Sequence, residues 1–328
     1  MRGFSLVLVA LLTVACVAVQ PATTPVPSTP TPSAGTTAEP APTLTPAPVA
    51  PTSAPTSAPT PAPTASATAQ TSTTPGAVVA PKAVFIVGPV EGQTDNNLAS
   101  AELMAERADA ASMDVRRVFF PHATWANVLA NIQGASLVAY FGHGYGWPSP
   151  GETELTESRQ DGMGLNSYDG SAEVEVTYFG ATPIRESIRL APHAVVFMQN
   201  GCYTAGNGLW GTPTPSADIA RERVDNFASG WLAVGAGAVF AFQYGTRVNY
   251  PEALMNTDSS IDPLFMYPRE YIAWNDVYFD SQRTPGAVSH LDPDRNLGYL
   301  RAVTGDLAMT TAQWRSGAGQ IAPVPEPH

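Results

Sequence analysis

From residue 82 onward the chain alternates short, mostly apolar runs with longer segments whose apolar residues recur every three or four positions. The runs at 82–88 (ended by Gly88-Pro89), 115–120 (closed by Pro121), 137–141, 194–198 and 238–242 are β-rich and predict strands. Between them, 96–112 carries Leu98, Leu103, Met104 and Ala108 near helical spacing, with Asp95 placed as an N-cap. Residues 124–133 gather Trp125, Val128, Leu129 and Ile132 on one face, and 183–190 reads as a short helix ended by Pro192. Residues 217–233 form the next helix, with Ile219, Val224, Phe227, Trp231 and Leu232 apolar. Strands alternating with helices imply a parallel sheet covered on both faces, with right-handed crossovers. The expected class is α/β, a mostly parallel central sheet with helices on both faces. Residues 250–328 are less regular, with 298–305 as a final helix or strand.

The first 81 residues follow other rules. Met1–Ala15 has one charge, Arg2, then an apolar stretch over 4–12 and small residues, the pattern of an export signal too short to span a bilayer as a mature helix. Thr13-Val14-Ala15-Cys16 resembles the lipobox of bacterial lipoproteins, although Leu12 stands one place before the position where that pattern prefers leucine. Lipidation of Cys16 and ordinary cleavage near Ala18 both remain open. From 17 to 81 the chain is dominated by Pro, Thr, Ala and Ser, with Glu39 as its only charge. Such a segment buries too little apolar surface to offset the entropy of ordering and favours extended polyproline II, a disordered stalk. The expected organisation is a signal segment at 1–16, a linker at 17–81, one domain at 82–315 and a disordered tail at 316–328.

Charge and cysteine content narrow the function. Arg2 and Glu39 cancel, so the globular part carries essentially all of the net charge of −12. Sixteen basic residues against 28 acidic ones leave no basic footprint for a nucleic acid. The chain has two cysteines, and only Cys202 lies in the domain, so no internal disulfide is expected. A thiol outside any disulfide in an exported chain calls for an explanation.

Cys202 follows the apolar run 194–198, and Gly142-His143-Gly144 follows the run 137–141. In an open α/β sheet, ligands bind at the C-terminal tips of the strands. A thiol and an imidazole placed there make a candidate nucleophile and base. Such chemistry also needs donors for the oxyanion formed at the attacked carbonyl, and the backbone N–H groups of Gly144 and Cys202 are candidates. Taken singly, Cys202 reads as a small buried hydrophobe and His143 as a structural imidazole; the pairing is what points to chemistry. No Gly-x-Ser-x-Gly elbow, His-Glu-x-x-His or Walker-type loop occurs, and two cysteines so far apart make no zinc site.

Phe141-Gly142-His143-Gly144 and Gln199-Asn200-Gly201-Cys202-Tyr203-Thr204-Ala205-Gly206, each after an apolar strand and in this order, resemble the histidine and cysteine motifs of the caspase-like cysteine peptidases. That group includes caspases, metacaspases, gingipains and bacterial CHAT-domain proteins, and the resemblance covers about residues 83–245. It implies a caspase–haemoglobinase fold and a Cys202–His143 dyad that hydrolyses peptide bonds in a protein or peptide substrate, with no cofactor. Many relatives carry an acidic or other polar side chain two positions before the cysteine. Asn200 stands there, so a preference for basic residues does not carry over. Glu91 and Asp95, after the first strand, are further candidates for the substrate pocket, or plain solvated loop charges.

The insertion at 145–182 reads as a substrate-covering loop. Its Asp161-Gly162-Met163-Gly164 and Asp169-Gly170 hint at calcium, but the EF-hand spacing is absent and turns explain them better. His193 lies at the wrong end of its strand, His122 ends the second strand on the same edge as the dyad, and His290 and His328 have no supporting context. The expected protein is an extracytoplasmic cysteine endopeptidase, secreted or held at a bacterial surface by an N-terminal lipid as its only membrane contact. The alternative is a non-enzymatic surface interaction or scaffold module with the same fold and an inactive dyad. Oligomeric state is not legible.

Overall fold

The computed structural model describes residues 79–243, 248–266 and 275–323. The signal segment, Cys16, nearly all of the 17–81 linker and His328 lie outside the described residues.

The five β-rich runs become neighbouring strands of one sheet, with the run at 115–120 on its edge. In chain order the first elements are β1 (Lys82–Val87), α1 (Thr94–Ala110), β2 (Asp114–Phe119), α2 (Trp125–Ile132) and β3 (Leu137–Phe141). A hairpin, β4 (Met163–Asn166) and β5 (Val176–Phe179), and a short helix α3 (Ala181–Ser187) lead to β6 (Ala194–Gln199), α4 (Ala217–Leu232) and β7 (Ala236–Phe242). The chain closes with α5 (Tyr250–Asn256), α6 (Ile261–Met266), β8 (Val277–Asp280), β9 (Val288–Leu291), β10 (Arg301–Gly305) and α7 (Thr311–Ser316). The sheet has eight strands in the order β2-β1-β3-β6-β7-β10-β9-β8. Its first five are parallel, and β10, β9 and β8 each run antiparallel to the strand before.

Successive side chains of a strand point to opposite faces, and here both faces are core. Val84, Ile86, Val138, Tyr140, Val196 and Met198 meet Val128 and Ile132 of α2, Ile184 of α3 and Phe227 and Trp231 of α4. On the other face Phe85, Phe141, Phe197, Phe240 and Phe242 meet Met104 of α1, Leu254 of α5, Phe265 of α6 and Trp314 of α7. Covering both faces explains why the runs show no polar alternation. Phe197 and Phe240 stack with centroids 4.9 Å apart at the middle of that second layer. Truncating either to alanine costs about 3–5 kcal/mol.

Several expected boundaries shift. The N-cap position of α1 is Gln93, which makes no side-chain cap bond. Asp95 is instead an exposed first-turn residue, favourable to the helix dipole. The turn before α1 is closed by Thr94, whose hydroxyl accepts from Val90 N and donates to Val90 O, both at 2.8 Å. The helix read over 124–133 starts one residue later, with Thr124 as its N-cap accepting from the Asn127 amide. Ile219 of α4 is exposed rather than part of the buried face. The 145–182 insertion carries an ordered hairpin, and the irregular C-terminal third supplies three strands. Residues 316–322, read from the sequence as part of a free tail, are packed: Ser316 closes α7, and Ala322 is buried with its amide donating to Leu190 O at 2.8 Å.

Candidate active site

Phe141 of β3 lies in register with Gln199 of β6, so these adjacent parallel strands end side by side. His143 comes two residues after β3 and Cys202 three residues after β6. The two motifs therefore emerge from neighbouring strand tips at one edge of the sheet, the edge where open α/β folds do chemistry.

Their backbones touch. A Cβ on Gly144 would stand 1.8 Å from Cys202 O and 2.8 Å from Cys202 N, so only glycine fits there. A Cβ on Gly201 would lie 3.5 Å from Gly144 N. The two proposed oxyanion donors, Gly144 N and Cys202 N, thus share one small region. The cysteine loop leaves β6 through Asn200, whose amide still donates to Phe242 O at 2.7 Å. Asn200 (φ 59°) and Tyr203 (φ 68°) both adopt the left-handed region. Asparagine tolerates it, whereas a tyrosine there costs roughly 1–2 kcal/mol. Thr204 Oγ1 donates to Gly201 O at 2.7 Å and Tyr203 N to Asn207 O at 3.0 Å, which holds the strained turn around Cys202. Cys202 itself is buried, with 2 % exposed.

His143 is half-buried, and loss of solvent lowers its pKa from the ordinary 6.5, which keeps the imidazole neutral at pH 7. A neutral ring is the form that accepts a proton. Tyr178 of β5 lies edge-on to it at 6.4 Å. Among the described residues no side chain or carbonyl hydrogen-bonds the ring, which leaves Tyr178 as its ring contact. The backbone of His143 is held instead: the Tyr140 hydroxyl sits 3.0 Å from His143 O, 2.9 Å from Gly164 O and 2.9 Å from Gly164 N. Burial raises the Tyr140 phenol well above its ordinary range, keeping it protonated.

The remaining sequence candidates separate. Asn200 Nδ2 donates to Asn97 Oδ1 at 3.0 Å, and Asn97 is buried at 3 % exposure. Glu91 and Asp95, from the same β1–α1 segment, are exposed. Asp161 and Asp169 serve different places. Asp161 is buried and accepts from Trp147 N at 3.2 Å, and Asp169 accepts from Asn127 Nδ2 and meets His122 Nδ1, both at 3.0 Å. Among the described residues no group of three or more His, Cys, Asp or Glu is placed to hold a metal ion. His122 is thus tied to the insertion, His193 lies before β6 at its far end, and His290 is buried against Asp262 at 2.6 Å.

Four neighbours escaped the sequence reading: Asn97, Tyr140, Tyr178 and Arg223. Tyr140 left a signal, because a tyrosine inside a wholly apolar strand must find a partner for its hydroxyl. Arg223 left a weaker one, an arginine beside Val224 in a helix with a buried face. Asn97 and Tyr178 left none.

Comparison with known proteins adds little. No family model matches the chain, and no curated protein matches it. Among solved structures, it is similar to the X-ray structure of a secreted C11 cysteine protease, "iotapain", from Bacteroides thetaiotaomicron. The identity is 12 %, over 66 % of this chain and 67 % of that one, with a TM-score of 0.31. The likeness is distant. Among the described residues no helix is long and apolar enough to cross a membrane.

Proposed function

We propose that this protein is an exported cysteine endopeptidase in which Cys202 is the nucleophile and His143 the base. The observation that supports this most is the meeting of the two motifs at adjacent parallel strand tips, with Gly144 packed on the Cys202 backbone. In this reading the Cys202 sulfur attacks the peptide carbonyl carbon while its proton passes to the neutral His143 ring. The Gly144 and Cys202 amides receive the oxyanion. His143 then gives the proton to the leaving amine, and water, deprotonated by the same ring, hydrolyses the thioester. Catalytic hydrogen bonds are often long before substrate binds, so an unbonded imidazole in the free enzyme is compatible with this role. Asn200, held by Asn97, borders the nucleophile as an uncharged polar group. Export and a tether through Cys16 and the proline-rich stalk complete the proposal.

One observation favours a second reading, a surface interaction module with an inactive dyad: the 2 % exposure of Cys202. The two part in one experiment. The full-length protein is incubated with a peptide library and, separately, with a thiol-directed probe, beside Cys202→Ala. Cleavage by the wild type alone supports the peptidase. Cleavage that survives in Cys202→Ala refutes the mechanism, and a silent wild type with an unlabelled thiol supports the module.

A further inference from the structure

Helix α4 sends one buried cation between the two loops of the candidate site. Arg223 is 6 % exposed. Its Nε donates to Pro148 O at 2.7 Å, in the loop that continues from His143-Gly144. Its Nη1 donates to Gly206 O at 3.0 Å, in the loop that continues from Cys202. The guanidinium carbon lies 4.8 Å from the ring centroid of Tyr203, the strained residue directly after the thiol. The same helix reinforces the first contact, since Asn226 Nδ2 donates to Trp147 O at 3.1 Å and Glu222 Oε1 accepts from Trp147 Nε1 at 3.2 Å.

A guanidinium is an expensive way to fill this space. Taking a cation out of water costs several kcal/mol unless its donors are met, and an apolar side chain would pack there without that cost. What arginine alone offers is a rigid planar fork that reaches two carbonyl oxygens at a fixed separation. Those carbonyls lie five residues after His143 and four residues after Cys202. We infer that Arg223 is a positioning residue, a clamp that fixes the spacing of the histidine loop against the cysteine loop. It touches no reacting atom and acts through the two loops. Its role in turnover rests on the peptidase reading; its role as a clamp does not.

The test uses Arg223→Met, which keeps the apolar stem, and Arg223→Lys, which keeps the charge and one donor direction. Amide hydrogen exchange is followed in the full chain at 145–147 and 203–206, with urea unfolding measured in parallel. In Arg223→Met both segments should exchange faster together while the strands β3 and β6 keep their protection, and Arg223→Lys should fall between. For peptide cleavage, kcat should drop about 10²-fold in Arg223→Met, the scale of a small misplacement of reacting groups. KM should change little, and Arg223→Lys should recover part of the loss. Unchanged exchange, or faster exchange in one loop only, would overturn the clamp. So would a loss of activity no larger than the loss of folded protein. A wild type that cleaves nothing refutes the peptidase reading alone, and exchange still decides the clamp.

Discussion

The Tyr140 hydroxyl lies 3.0 Å from the carbonyl oxygen of His143, reaching it from within the strand that leads to that histidine. The Tyr140 hydroxyl oxygen itself accepts from Gly164 N in the β4–β5 hairpin. One buried phenol thus ties the base, its strand and the insertion together. A Cβ on Gly142 would stand 2.2 Å from that hydroxyl, which explains the glycine before the histidine.

Tyr140→Phe should therefore cost stability and activity together. It leaves the Gly164 amide and its neighbouring carbonyls in a dry site short of a partner, a penalty of about 1–3 kcal/mol. Urea unfolding reads the first effect. Turnover per folded molecule reads the second, and it should fall because the His143 backbone loses its anchor. A variant as stable and active as wild type would show the bond to be idle.

Gly144→Ala should abolish the site, because its methyl would overlap the Cys202 carbonyl oxygen. Gly92→Ala is the contrast. Gly92, unlike Gly144, has positive φ (71°), and nothing lies within 4 Å, so only the backbone cost of about 1–2 kcal/mol applies. Thermal unfolding of both variants, with peptide cleavage, separates lost geometry from lost stability.

The His143 pKa, lowered by desolvation, sets the acid side of the pH profile. The base works unprotonated, so the acid limb of kcat/KM should be centred below pH 6.5. Stability follows the same sign. Between the lowered folded pKa and the unfolded 6.5, the unfolded state binds more protons. The histidine's contribution is thus whole above pH 6.5 and is lost as pH falls through the folded pKa. An acid limb centred above pH 6.5 would contradict the assignment.

Asp161 has the opposite slope. Burial pushes its pKa from 3.8 to about 8, so the folded state holds a proton that the unfolded chain releases. Stability should decline as pH rises from about 4 to 8, in the window those two values define. Asp161→Asn removes that decline and suits the site, since asparagine tolerates the observed φ of 64°. Urea unfolding at pH 5 and pH 8 checks it: the difference should shrink in the variant. An equal difference would place the titration elsewhere.

The central strands were legible because each is buried on both faces and writes an unbroken apolar run. Their order in the chain also put His143 and Cys202 at strand tips. The β4–β5 hairpin was hidden because Met163-Gly164-Leu165-Asn166 is short and glycine-broken, and because its partner strand, half exposed, lies ten residues on. Strands β8 and β9 were hidden, and β10 was legible only as a helix or strand over 298–305, because they are four or five residues long and antiparallel, with buried polar groups such as Ser289, His290 and Arg301 among the apolar ones. The support of the site was hidden for a different reason. Arg223 and Asn97 reach loops 75 and 103 residues away, and local pattern carries no such information.

Peptide cleavage by wild type, Cys202→Ala, His143→Ala and the double variant, measured side by side on full-length protein, tests the central claim most directly. Two groups acting as one unit give losses that do not add. Each single variant should lose at least about 10³-fold in kcat, with the double variant no worse than the more damaged single one. Cleavage that persists in either single variant, or losses that add, would contradict a Cys202–His143 dyad.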